Sequence, residues 1–159
     1  MSAADIKCVL LADRHHGLTE GVRGLLETVF EAVVMVADEH SLFESATRLQ
    51  PTLAVVDLSL AREDNLQWLE RVRARCPELK IIVLSVHDEP SVCRSALGAG
   101  ADGFVLKRAL ATELLPAVDA VLAGQRYGFP AVAGSPGTSP ETKAPILRAP
   151  EPDKPKGRP

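Results

Sequence analysis

With 159 residues, 46% of them hydrophobic and 25% charged, the chain is about one domain long and can bury a core without staples. A formal net charge of −3 and a pI near 5.8 exclude the basic footprint that nucleic-acid binding needs. No apolar stretch approaches the roughly 20 residues that span a bilayer, and MSAADIKCVLLAD lacks a positive region ahead of a long apolar one, so a cytoplasmic protein without membrane attachment is expected.

From residue 6 to 125, strand-like apolar runs alternate five times with amphipathic patterns, which predicts βα units feeding a parallel sheet. IKCVLLA is the first strand, and Leu18, Val22, Leu25, Leu26 and Val29 place a helix over 17–29. EAVVMVA is the second, followed by a helix opened by Ser41 with Glu44 three residues on, a capping box. LAVVD leads to a helix over 64–75, started by the capping chemistry of Asp64 and Asn65 and stopped by Pro77. KIIVLS precedes a helix over 90–97 with proline at its start, where a missing donor costs nothing. GAGADG turns into FVLK, and a last helix spans 112–123. The near-continuous apolar character of the strands predicts a sheet covered on both faces.

Beyond Gly128 the composition changes. The segment 128–159 carries eight of the twelve prolines and no apolar periodicity, which predicts a disordered, partly polyproline tail after a domain over 5–127. Cys8, Cys76 and Cys93 are widely spaced and odd in number, and are expected to be buried, reduced thiols.

Three of the strand runs end on polar residues: Asp57, Ser85 and Lys107. In a parallel sheet these converge on the edge where open α/β sheets bind ligands, as a carboxylate, a hydroxyl and an ammonium. That trio suits phosphoryl transfer to an aspartate: Lys107 supplies a fixed positive charge and Ser85 a hydrogen bond to a phosphoryl oxygen. Taken singly, each has a plainer role: Asp57 as a loop cap, Ser85 as a backbone partner, Lys107 as a solvated strand end.

KCVLLAD, VVDLSL, IIVLSVHDE and LGAGADGFVLK resemble the receiver domain of two-component response regulators, in the branch often joined to a LuxR-type helix-turn-helix; the resemblance covers 5–127. It implies a flavodoxin-like (βα)5 fold of strand order 2-1-3-4-5, with Asp57 as phosphoacceptor, Ser85 as the hydroxyl that senses the phosphoryl group, Lys107 as the active-site lysine and Phe104 as the aromatic switch. It further implies a Mg²⁺ site from Asp13, Asp57 and the Ser59 carbonyl. The implied partners are a sensor histidine kinase or histidine phosphotransfer protein, and a homodimer or effector on the face made by the fourth and fifth helices and the strand between them.

The chain departs from that pattern where a second acid should follow Asp13. Arg14 stands there, and a guanidinium is a cation that cannot ligate Mg²⁺. Metal binding is therefore expected to be weak or lost, with Arg14 either turned inward to pair with Asp57 or Asp13, or pointing to solvent. A second departure is Ala61-Arg62 in place of a Pro-Gly step, which sets Arg62 and Glu63 near the pocket. His15, His16 and His87 share that sheet edge but adjacent histidines do not readily chelate one ion, and His40 reads as solvated.

After 127 no helix-turn-helix pattern follows, so a signalling protein and not an enzyme is expected: a stand-alone receiver without direct DNA binding. The alternative is a degenerate receiver that binds its partner whatever the state of Asp57. A third reading, a small flavodoxin-like enzyme or nucleotide binder, lacks a phosphate-cradling loop.

Overall fold

The computed structural model describes residues 8–14, 19–61 and 65–128. The chain divides into two units, Met1–Tyr127 and Gly128–Pro159, and every element below belongs to the first. His15, His16, Arg62, Glu63, Asp64 and the predicted tail from 129 on lie outside the described residues.

Five strands, β1 (Cys8–Ala12), β2 (Ala32–Val36), β3 (Leu53–Asp57), β4 (Lys80–Ser85) and β5 (Gly103–Leu106), alternate with α1 (Thr19–Glu27), α2 (Glu39–Leu49), α3 (Gln67–Arg75), α4 (Pro90–Gly98) and α5 (Leu110–Leu122). All pairings are parallel, in the order β2-β1-β3-β4-β5. The fold is therefore the flavodoxin-like (βα)5 arrangement.

Strand alternation divides the core. Val9, Leu11, Leu53, Val55, Ile82, Leu84 and Val105 pack against Val22 and Leu26 of α1 and Leu114, Ala117, Val118 and Val121 of α5. Each large aliphatic side chain buried there contributes about 1.5–3 kcal/mol. β3 is buried throughout, whereas β2 pairs only with β1 and exposes Ala32 and Met35. The expected double coverage thus fails at this edge, where one neighbour is missing. Cys93 is buried as expected, while Cys8 and Cys76 are only partly so, and none of the three forms a disulfide.

Helix ends differ from the predicted ones where local chemistry competed. α2 is capped by Asp38, whose carboxylate accepts from the Ser41 amide at 2.7 Å, so Ser41 is the receiver of the cap and not the cap itself. The third helix begins at Gln67, after Asn65 Oδ1 accepts from its amide at 3.0 Å in an Asx turn. α5 starts at Leu110, following a 3-10 turn over Lys107–Ala109. α4 ends in a Schellman motif: Gly100 takes φ +122°, and the Ala101 amide donates to Ala96 O at 3.1 Å.

Beyond α5 the chain returns to the sheet. Tyr127 O accepts from the Phe104 amide at 2.7 Å, the Tyr127 amide donates to Asp102 O at 3.0 Å, and its hydroxyl donates to Glu113 on α5. This contact occupies backbone groups at the free edge of β5.

Candidate functional site

Register brings the strand ends together. Ala12 pairs with Val56 and Asp57 with Leu84, so Asp13 stands beside Asp57, and Ser85 pairs with Leu106 just before Lys107. These four residues sit where the sheet's carboxyl ends meet at the β1/β3 crossover.

Asp57 is 2% exposed, yet its carboxylate is fully engaged. Oδ2 accepts from Lys107 Nζ at 2.5 Å. Oδ1 accepts from the Ser59 amide at 2.9 Å and the Ser59 hydroxyl at 3.0 Å. The turn that presents those donors is closed by the Leu60 amide on Asp57 O at 2.9 Å.

Burial pushes the Asp57 carboxyl upward, but the Lys107 hydrogen bond, the Ser59 amide, a side-chain hydrogen bond with Asp13 and the Lys107 charge outweigh it and hold it below the usual carboxylate range. It is thus ionised at neutral pH. Two carboxyls in contact are stable only beside cations or with a shared proton.

Ser85, 1% exposed, spends its hydroxyl on its own loop: Oγ accepts from the His87 amide at 2.8 Å and donates to His87 O at 3.3 Å. Phe104 is fully buried one strand over, on the sheet face opposite Val105. Arg108 spans the mouth to Asp88 at 2.9 Å, an exposed pair of little energetic weight.

A groove of about 1360 Å³ runs from Asp57, Ser85 and Lys107 outward between α3 and α4, past Glu70, Val92 and Ser95. Arg14 lines its inner end, half-buried, and its Nη1 is buried with no hydrogen-bond partner among the described residues. Of the two expected orientations the side chain takes the inward one, but this nitrogen pairs with neither carboxylate.

The donor set does not fit Mg²⁺. Six hard oxygens in octahedral array are needed, whereas both Asp57 oxygens already accept hydrogen bonds and a guanidinium that cannot ligate lines the same wall. No group of three or more His, Cys, Asp or Glu among the described residues could hold a metal. His87 is exposed, 3.9 Å from Glu89, and His40 is exposed as expected. Nor is any helix among the described residues long and apolar enough to cross a membrane.

The sequence model of the response regulator receiver domain matches residues 9–119. The chain belongs to that family. It is 37% identical over 127 residues to the transcriptional activator protein ExaE of Pseudomonas putida, covering 75% of this chain and 56% of that one. It spans just over half the length of the curated relatives it matches. Among solved structures, a LuxR-family two-component response regulator from Aurantimonas superposes with a TM-score of 0.72 at 28% identity, over 80% of this chain and 93% of that one. The isolated receiver domain of RcsB from Salmonella enterica serovar Typhimurium, solved with the phosphomimetic BeF3−, gives 0.71 at 26% identity, over 82% and 98%. RcsB is also known as dimers bound to DNA. Receiver domains exchange signals with histidine kinases and phosphotransfer proteins, and generally use Mg²⁺ for phosphorylation.

Sequence reasoning did not single out Arg73, Asp102 or Tyr127 with Glu113. Arg73 donates to Gly100 O at 2.8 Å, Leu79 O at 2.6 Å and Asp102 Oδ2 at 2.7 Å, and Asp102 Oδ2 also accepts from the Ile81 amide at 2.9 Å. Three of these four partners are backbone groups, which leave no mark in a sequence.

Proposed function

We propose that this receiver takes a phosphoryl group on Asp57 from a sensor histidine kinase or histidine phosphotransfer protein, and signals through protein–protein contact, with Arg14 weakening the Mg²⁺-dependent route. The observation that carries the reading is the buried Asp57 carboxylate, held by Lys107 at 2.5 Å at the inner end of a groove that also presents Ser85.

An Asp57 oxygen attacks phosphorus, the bond from phosphorus to the donor's imidazole nitrogen breaks, and that nitrogen leaves with its electron pair. Lys107 then turns from the carboxylate to the phosphoryl oxygens, whose added charge of about −1.5 to −2 it offsets. Ser85 releases the His87 amide to donate to the same group, and Phe104 moves into the space opened behind it. The signal leaves through the face of α4, β5 and α5, where a second copy or an effector protein binds. That the relative RcsB forms dimers supports association with a second copy. The protein acts in the cytoplasm as a signalling module, not as an enzyme on a separate substrate and not by contacting DNA itself, in keeping with its net charge of −3.

Intact-protein mass after incubation with a small acyl phosphate and Mg²⁺ tests this. One phosphoryl adduct is expected on wild type, slower than on Arg14→Asp, and none on Asp57→Asn; an adduct that survives Asp57→Asn would overturn the assignment.

The second reading, a phosphorylation-independent interaction module, is favoured by Arg14 at the metal position and by the saturation of Asp57. It predicts no adduct on wild type under any condition. It further predicts the same dimer or effector affinity in Asp57→Asn as in wild type, measured by sedimentation.

A further inference from the structure

Charge at the inner end of the groove differs from what a metal-using pocket needs. Asp13 and Asp57 are set against Arg14 and Lys107, so the cluster is formally neutral by itself. An acid at position 14 would leave it at about −2, the charge that one divalent cation cancels. Arginine does that without an ion.

The geometry goes further than the charge count. A guanidinium offers donors in a planar fork that matches two oxygens of a phosphate. Arg14 keeps one of those donors, Nη1, buried and without a partner among the described residues, within the groove wall. Leaving a buried charged donor unpaired costs on the order of 1–3 kcal/mol or more, and such groups are rare in folded proteins. One other buried side-chain nitrogen among the described residues lacks a partner, Trp68 Nε1, and Trp68 does not line the groove. Lys107 and Ser85 line the same end, so three donor groups of different kinds surround one cavity.

We infer that this pocket is a metal-free oxyanion site, in which Arg14, Lys107 and Ser85 hold a phosphate group without a divalent cation. The inference rests on the reading of the groove end as the phosphoryl pocket and adds how the group is held. The phosphate oxygens take the Arg14 fork, Lys107 divides its contact between Asp57 and the anion, and the Ser85 hydroxyl turns from His87. No bond is made or broken in this binding step. The ligand is either free inorganic phosphate or the phosphoryl group of a donor.

Calorimetric titration of the full chain with inorganic phosphate, in EDTA and separately in excess Mg²⁺, tests it on wild type, Arg14→Gln and Arg14→Asp. Wild type is expected to bind in EDTA, with Mg²⁺ changing its affinity less than twofold. Arg14→Gln should lose at least tenfold in EDTA. Arg14→Asp should show no binding in EDTA and recover it in Mg²⁺, a gain that an unfolded variant could not give. Absence of binding by wild type in EDTA, or equal affinity in wild type and Arg14→Gln, would overturn the inference.

The acyl phosphate experiment, repeated in EDTA, separates the two sources and the two claims. An adduct on wild type in EDTA shows that a donor's phosphoryl group is held as free phosphate is. An adduct that requires Mg²⁺, with no metal-free phosphate binding, overturns the inference and leaves the receiver reading standing. Phosphate bound in EDTA without any adduct upholds the oxyanion site and overturns phosphorylation at Asp57.

Discussion

Two arginines on this small domain have opposite fates. Arg73, on α3, spends its guanidinium on Gly100 O, Leu79 O, Pro77 O and Asp102, tying the ends of α3 and α4 to the starts of β4 and β5. Arg14, just past the end of β1, carries a buried nitrogen with no partner among the described residues, at the inner end of the groove where the strand ends meet. Where a guanidinium is saturated by the backbone it is part of the scaffold. Where it is left short it stores a cost that a ligand can relieve.

Breaking the saturated end should have the larger effect. Arg73→Met strips donors from Asp102 and from carbonyls that have no other side-chain partner, and is expected to destabilise the fold by about 3 kcal/mol. Urea unfolding with an unchanged slope would measure it. A loss under about 1 kcal/mol would mean that water replaces Arg73 freely.

At the other end, Lys107→Met leaves Asp57 without its cation, at a cost of about 2 kcal/mol, limited because the carboxyl can take up a proton. The Asp57 pKa, followed by carbon-detected NMR, should rise above the wild-type value. If it does not move, Ser59 and Asp13 hold the carboxylate and Lys107 is incidental.

The contrast is sharpest in Arg14→Leu. Relief of the unsatisfied donor is set against loss of a positive charge beside Asp13 and Asp57, so the net change should stay within about 1 kcal/mol of zero, well short of Arg73→Met. A clear destabilisation would show that Arg14 is structural after all.

The smallest effect concerns acid. Asp57 has a folded pKa below its unfolded value of about 3.9. Its contribution is therefore fully present above that unfolded value and is lost as pH falls through the lower folded one. Asp57→Asn should flatten the acid limb of the stability curve and leave its slope unchanged from pH 5 to 7. Steepening near neutrality would point to a different group.

How much of this was legible in the residues depends on which forces were involved. The sheet was legible because LAVVD, KIIVLS and GFVL are apolar runs too short for helices and bounded by turn residues, and burial alone orders them. Asp57, Ser85 and Lys107 were legible because a polar residue at the end of such a run must sit at the sheet edge. The cap of α2 was misplaced by three residues, since Asp38 and Ser41 are both good caps and only the path of the chain after β2 selects Asp38. The return of Tyr127 to β5 could not be read, because backbone pairing at an edge is indifferent to side-chain type.

By itself, then, the sequence determined the order and kind of the elements, the polar residues at the strand ends and the presence of an arginine directly after Asp13. Those follow from local pattern and from hydrophobic burial, which is non-directional and needs no exact geometry. Tertiary structure alone decided that Arg14 turns into the groove with Nη1 unpaired among the described residues, that Asp57 is gripped by Lys107 and Ser59, and that Arg73 is saturated. Hydrogen bonds to charged groups depend on distances of a few tenths of an ångström between residues far apart in the chain, and only the folded backbone sets those.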